Sequence, residues 1–207
     1  MTNAIGTRAA HSRKPLCIDL YAGLGGWAEG FLAEGWDVVG FDIERHEYGA
    51  QRYPAQLVLQ DVLTLHGRQF RDADCIVASP PCQAYSYRGM PFKRARALPP
   101  PSNALFESCF RLALEASTAA GHRVPLVVEN VMAAQRWVGK AAWHYGSFYL
   151  WGDVPAIMPY PYESQKCAGN WFRARTSSRS QARKAWSAQI GKIPFPLASY
   201  IARSFHP

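Results

Sequence analysis

The 207-residue sequence has no uninterrupted apolar run approaching the ~20 residues that a membrane-spanning helix needs. Its first fourteen residues are polar and small, without the apolar centre of a secretory signal. Residues 1–14 therefore read as a flexible N-terminal arm, and a cytoplasmic location is expected, with no membrane partner. Cysteine is scattered: five residues, at 17, 75, 82, 109 and 167, with no C-x-x-C pair. An odd count spread so widely argues against a disulfide framework and a zinc cluster, so no bound metal is expected. There are no internal repeats, and nothing of low complexity beyond Pro99-Pro100-Pro101. Acid is nearly missing from the last quarter of the chain. Residues 161–207 hold eight Lys or Arg against the single acid Glu163, whereas residues 1–160 hold fifteen basic and fourteen acidic side chains. Most of the net charge of +8 is therefore concentrated at one end. A solubilising tail is the plain reading of that asymmetry, and a polyanionic partner the functional one.

What is present is an ordinary globular balance, 48% hydrophobic and 18% charged, enough for one domain with a substantial core. Short apolar runs alternate with helical patterns. Pro15 to Tyr21, Asp37 to Asp42, Leu57 to Leu59, Cys75 to Ala78 and Pro125 to Val128 read as five buried strands. Trp27 to Gly35 and 103–120 read as helices, and a polar helix is expected from the second strand through Tyr53. This alternation implies an α/β fold with an open, mostly parallel central sheet flanked by helices. In such sheets ligands bind beyond the carboxyl ends of the strands. Gly23 to Gly26, Asp42, Asp61, Pro80 to Cys82 and Glu129 all fall there.

Two of these strand ends carry chemistry. Gly23-Leu24-Gly25-Gly26-Trp27-Ala28 fits the loose G-x-G-x-x-G/A pattern, in which missing side chains let the backbone approach a ligand. Asp42, nineteen positions after Gly23, is placed to accept from ribose hydroxyls. Asp61 either binds an adenine amino group or caps a helix. The glycines alone do not choose between a nicotinamide cofactor and S-adenosylmethionine. Ser79-Pro80-Pro81-Cys82-Gln83 is more specific. Two prolines fix the approach to Cys82, and the strand end exposes its thiol. A thiol of pKa ~8.5 is only a few per cent ionised at neutral pH unless the site assists it. No histidine stands in a motif resembling the partner of a cysteine hydrolase.

Tyr21-Ala22-Gly23-Leu24-Gly25-Gly26, Pro81-Cys82-Gln83 and Glu129-Asn130-Val131, in this order and spacing, resemble the signature motifs of DNA cytosine-5 methyltransferases. Asp42-Ile43, Asp61-Val62, Asn103 to Glu107 and Pro194 to Ala198 extend the likeness. It implies a Rossmann-like S-adenosylmethionine-dependent methyltransferase fold, S-adenosyl-L-methionine as cofactor and DNA as substrate. Cys82, Glu129 and Asn130 become the expected catalytic set. Tyr21, Gly23, Gly25, Gly26, Asp42, Ile43, Asp61, Val62 and Pro80 become the expected cofactor contacts. By the same likeness Cys82 adds to C6 of a cytosine flipped from the duplex, Glu129 holds the N3 edge, and Asn130 positions the loop that carries Cys82. The run Arg88 to Arg96 has four cations, and no acid occurs from Cys75 to Phe106. DNA contacts are expected from Gln83, Ser86, Arg88, Lys93, Arg94 and Arg96.

The chain also departs from the family pattern. The arginine-bearing Q-x-R-x-R element is missing: Trp143 to Leu150 keeps Tyr145-Gly146 but has no arginine, and Arg173 and Arg175 have the right spacing but come late. Ile190-Gly191-Lys192 stands where Gly-Asn-Ser is usual. The expected organisation is an arm at 1–14, a catalytic and cofactor-binding core at 15–131, a reduced aromatic and basic DNA-recognition region at 132–189, and a segment at 190–207 that returns to the core. Residues 132–170 read as an irregular aromatic insert that either stacks on bases or fills the core. So small a recognition region implies relaxed specificity, use of the basic stretch 171–186, or a partner protein. Two alternatives remain at this point: a catalytically silent DNA-binding protein of the same fold, and a Rossmann-type oxidoreductase. A compact enzyme of this kind suits a mobile element or virus acting in a bacterial or infected cell.

Overall fold

The computed structural model describes residues 13–86, 97, 99–156 and 181–207. The elements are β1 (Leu16–Leu20), α1 (Gly26–Ala33), β2 (Asp37–Asp42), β3 (Gln56–Leu59), β4 (Cys75–Ala78), α2 (Ala104–Ala120), β5 (Leu126–Asn130), α3 (Gln135–Val138), β6 (Trp143–Tyr145), β7 (Phe148–Gly152), α4 (Gln181–Gly191) and α5 (Phe195–Ser204). Seven strands form one sheet in the order β3-β2-β1-β4-β5-β7-β6. The pairs among β1 to β5 are parallel, and β7 runs antiparallel to both its neighbours. Strands β1, β4 and β5 are buried along nearly their whole length, which is why they appear in the sequence as continuous apolar runs. Alternate residues feed two cores. Ile18, Leu20, Ile76 and Val128 meet Cys109, Leu112 and Ala116 of α2 on one face. Cys17, Val77, Val127 and Leu150 meet Trp27 and Phe31 of α1 and Leu197 and Ile201 of α5 on the other. No helix among the described residues is long and apolar enough to cross a membrane.

Two expectations are corrected. No helix follows β2: residues 43–55 form bends and a single bridge between Tyr48 and Gln51, with Gly49 in the left-handed region at φ 64°. The segment is held instead by its far end. The Tyr53 hydroxyl donates to buried Asp19 at 3.1 Å, and its ring lies where a side chain on Gly40 would stand. Burial raises the Asp19 carboxyl well above its ordinary value, against the lowering effect of that hydrogen bond. The aromatic insert is not irregular throughout either. Residues 143–152 form a hairpin that completes the sheet, with Tyr145, Phe148 and Leu150 buried on one face and Trp151 on the other. Tyr145, Phe148 and Trp151 are core, because a strand covered on both faces needs bulk on both sides; Trp137 and Tyr149 are half-buried, Trp143 is 47% exposed, and Tyr160 and Tyr162 lie outside the described residues.

The contact between α1 and α5 makes a stability prediction whose sign depends on magnitude. Alanine is favoured over glycine in a helix by ~1 kcal/mol. A Cβ on Gly30, however, would lie 2.4 Å from the Ala198 Cβ and 2.5 Å from the Ser199 nitrogen, which is backbone and cannot rotate away. Overpacking of this kind costs about 1–3 kcal/mol. Gly30→Ala is expected to lower Tm by several degrees in a thermal melt; a raised Tm would mean that the two helices do not meet at Gly30.

Candidate active site

The carboxyl ends of β1, β2, β4 and β5 open into one cleft of about 430 Å³. Its walls include Tyr21, Gly23, Gly26, Asp42, Ile43, Asp61, Val62, Pro80, Cys82, Gln83 and Glu129, so most of the residues singled out from the sequence converge here. Gly25 and Asn130 stand behind the wall, and Ser86 is exposed outside it. Arg88, Lys93, Arg94, Arg96, Arg173 and Arg175 lie outside the described residues.

The glycine turn is built by backbone that few side chains tolerate. Tyr21, Gly23 and Gly25 have φ of 59°, 52° and 76°. Left-handed Tyr21 is held by its hydroxyl, 3.1 Å from the Leu105 carbonyl and 2.9 Å from Ser108 Oγ. The three glycines serve different ends. A Cβ on Gly25 would meet Pro54 at 2.4 Å, and one on Gly26 would meet the Ile193 nitrogen at 2.4 Å, so both are needed for the chain's own packing. At Gly23 the nearest such atom is 3.9 Å away, which leaves room for a ligand. Gly23 donates to Asp42 Oδ2 at 2.9 Å, and Glu44 donates to Oδ1 at 3.2 Å. Asp61 accepts from Leu63 at 2.9 Å, so it caps the short turn 62–64 while also facing the cleft. A glycine turn flanked by two carboxylates and by apolar Ile43 and Val62 suits a ribonucleoside: acceptors for hydroxyls and an amine, and apolar surface for a base. Among the described residues no group of three His, Cys, Asp or Glu side chains is placed to hold a metal ion.

The cysteine loop is held largely through its acceptors, because Pro80 and Pro81 have no N–H to donate. Asn130 Nδ2 donates to the Pro80 carbonyl at 2.9 Å, and Trp27 Nε1 donates to Ser79 Oγ at 3.0 Å. The Cys82 carbonyl then accepts from Tyr85 and Ser86 at 3.0 and 2.9 Å, which turns the chain back on itself. Cys82 is half-buried, whereas Cys17, Cys75 and Cys109 are fully buried and their thiols are pushed up by burial, Cys109 to about 12. Of the described cysteines, Cys82 is the one within reach of solvent and of the cleft. Glu129 stands at the neighbouring strand end, 7% exposed.

Sequence reasoning missed part of the wall. Ser187, Gly191 and Lys192, at the end of α4, close the cleft beside the glycine turn, with Lys192 Nζ donating to Glu29 at 2.5 Å. His46 was also missed. Its Nε2 lies 3.6 Å from Asp42 Oδ1 and its Nδ1 3.7 Å from Glu44 Oε1. Gly191 and Lys192 stand at the position where the family has Gly-Asn-Ser, but no periodicity or motif marks Ser187 or His46; only the closing of residues 43–55 and of the C-terminal segment brings those two in.

The pair has a pH signature. Asp42 raises the His46 pKa, opposed by partial burial and by Lys184 and reinforced by Glu44. Burial pushes Asp42 up, but His46 and the N–H groups of Gly23 and Glu44 outweigh it and hold the carboxyl below its ordinary value. The stabilisation from His46 is full below its unfolded pKa of ~6.5 and is lost as pH rises through the raised folded value. That from Asp42 is present above its unfolded pKa of ~3.9 and is lost as pH falls through the lowered folded value. His46→Gln is therefore expected to cost more Tm at pH 6 than at pH 8.5. An equal loss at both would mean that His46 is uncharged beside Asp42.

Comparison with known proteins identifies the family. The family model for the C-5 cytosine-specific DNA methylase matches residues 16–135. The Type II methyltransferase M.DdeI of Desulfomicrobium norvegicum is 32% identical over 81 residues, covering 35% of this chain and 19% of its own length. The chain thus spans about a fifth of the length of that curated relative. Among solved structures, a DNA modification methyltransferase encoded within a prophage of E. coli is similar at 24% identity and TM-score 0.43, over 61% of this chain and 35% of that one. The Dnmt2 methyltransferase of S. pombe is similar at 14% identity and TM-score 0.40, over 61% and 37%. Since the family match runs from β1 through the glycine turn, the Cys82 loop and Glu129, the chain belongs to the C-5 cytosine-specific DNA methylase family.

Proposed function

We propose that this chain methylates C5 of cytosine in DNA, with S-adenosyl-L-methionine as donor and Cys82 as nucleophile. One observation carries the reading: Cys82 and Glu129 stand at the ends of adjacent strands, in the same cleft as the open glycine turn. Tyr21, Gly23, Asp42, Ile43, Asp61 and Val62 would hold the cofactor, which supplies an electrophilic methyl group. Cytosine C5 is too poor a nucleophile to take that methyl unaided. The Cys82 thiolate forms a bond to C6, and the electron pair of the C5=C6 bond becomes available at C5. Glu129 holds N3 and the exocyclic amine, stabilising the positive charge that N3 gains on protonation. C5 would take the methyl group as its bond to the donor's sulfonium sulfur breaks, that electron pair staying on sulfur and leaving S-adenosylhomocysteine. Loss of the C5 proton to a base then restores the double bond as the Cys82 sulfur leaves. Asn130, through the Pro80 carbonyl, keeps the thiol in line for both bond changes.

The target base must leave the helix to reach this cleft, at a cost of a few kcal/mol that DNA contacts must offset. Gln83 and Ser86, both exposed beside Cys82, are assigned to that task with Arg88, Lys93, Arg94, Arg96, Arg173 and Arg175. The basic C-terminal quarter supplies the cation that the absent arginine element would otherwise give, and a partner protein is the other route to sequence choice. Incubation with S-adenosylmethionine labelled in its methyl group tests the proposal. Label recovered as 5-methylcytosine in DNA is the expected result. Binding of both cofactor and DNA without transfer would instead make the chain a silent DNA-binding member of the fold.

A further inference from the structure

We infer that Trp27 is a positioning residue for the cysteine loop, joining the glycine turn that receives the cofactor to Ser79, three residues before Cys82. The inference rests on the proposed function for its chemistry and on separate geometry for its substance. Trp27 is the second residue of α1, directly after Gly26, and is 2% exposed. Viewed only as core, it needs bulk and nothing more. The indole N–H nevertheless reaches Ser79 Oγ at 3.0 Å, and both residues line the cleft. A partner there is not automatic: the buried indole nitrogens of Trp36 and Trp137 have no hydrogen-bond partner.

The position of the bond gives it consequence. Ser79 is the last residue of the loop with an N–H before the prolines, and that N–H is used on the Leu20 carbonyl at 3.1 Å. Pro80 and Pro81 donate nothing, so two side-chain donors fix the approach to Cys82 from opposite sides. Asn130 comes from β5, on the side of Glu129, and Trp27 comes from α1, on the side of the glycine turn. With Trp27 in place, the surface that receives the methyl donor and the segment that carries the thiol move as one body. Removing the bond leaves the cofactor pocket whole and lets the thiol drift. An error of about 1 Å in a reacting atom can cost on the order of 100-fold in rate.

The test compares Trp27→Phe, which keeps an aromatic ring without the N–H, with Ser79→Ala and the double variant. Each single variant is expected to lower the single-turnover methylation rate at least tenfold while the affinity for S-adenosylhomocysteine stays within twofold. The double variant should be no slower than the slower single one, because both remove the same bond. Iodoacetamide alkylation of Cys82, followed by peptide mass spectrometry, should change by the same factor in both single variants. Single-variant rates within twofold of wild type, losses that multiply in the double, or cofactor affinity falling in step with rate would each overturn the inference. If the wild-type chain methylates no DNA, the proposed function fails by itself. Cys82 alkylation then decides this inference alone: equal changes in the two single variants support it, and unchanged rates refute it.

Discussion

Cys82→Ser is expected to reduce methyl transfer by three or more orders of magnitude while leaving Tm and DNA affinity close to wild type. The argument is one of ionisation. A thiol of pKa ~8.5 gives a few per cent thiolate at neutral pH before the site assists, and sulfur is intrinsically very nucleophilic. A serine hydroxyl ionises far less and is a poor match for attack on C6. Size is nearly conserved, and Cys82 is only half-buried, so the fold loses little. Initial rates with labelled cofactor, alongside a thermal melt and a DNA-binding titration, measure the three quantities together. Retained turnover in the serine variant would remove the covalent route; loss of all three together would mean that Cys82 is structural.

Glu129→Gln is the second large effect. The amide has nearly the same volume and still meets the cytosine edge with a donor and an acceptor, so base binding should survive. It carries no charge to stabilise N3 as it becomes protonated. General acid–base assistance of this kind contributes about 10²–10⁴-fold, and a loss in that range is expected in kcat. KM for DNA should change much less, because the lost interaction strengthens in the transition state. Glu129 is 7% exposed, so a replacement of nearly equal volume leaves no cavity at that strand end. A rise in KM with kcat intact would make Glu129 a binding residue only.

The placement of Cys82 and Glu129 at the cleft could be read from the sequence because each stands at or just beyond the carboxyl end of a buried parallel strand. Cys75 to Ala78 and Leu126 to Val128 are short apolar runs, each followed by polar or proline residues that stand at the ligand edge. The glycine turn was readable for a similar reason, as several of its residues adopt left-handed backbone. The meaning of the individual glycines was not. That Gly25 and Gly26 make room for Pro54 and Ile193, while Gly23 opens to a ligand, depends on partners 29 and 167 positions away, set only by tertiary packing.

Tertiary partners also explain the misreadings. Residues 43–55 have helix-compatible polar composition, but Tyr53 must reach Asp19 under the sheet and Pro54 must cover Gly25, so local propensity yields to those contacts. Phe148 to Trp151 looks irregular beside several Gly and Pro. Burial on both faces of a sheet demands aromatic bulk without polar alternation, which hides a strand from a period-two search. The Trp27 to Ser79 hydrogen bond spans 52 residues between two elements whose separate patterns were each satisfied by packing alone. No spacing in the sequence marks such a pair.

Bisulfite sequencing of DNA from cells expressing the chain tests the central claim most directly, since it reads the position and identity of the modified atom's base at once. Cytosines resistant to conversion are expected to accumulate with the wild-type chain and to be absent with Cys82→Ser expressed at the same level. Complete conversion in both, from a chain shown to be folded and to bind S-adenosylmethionine, would contradict it.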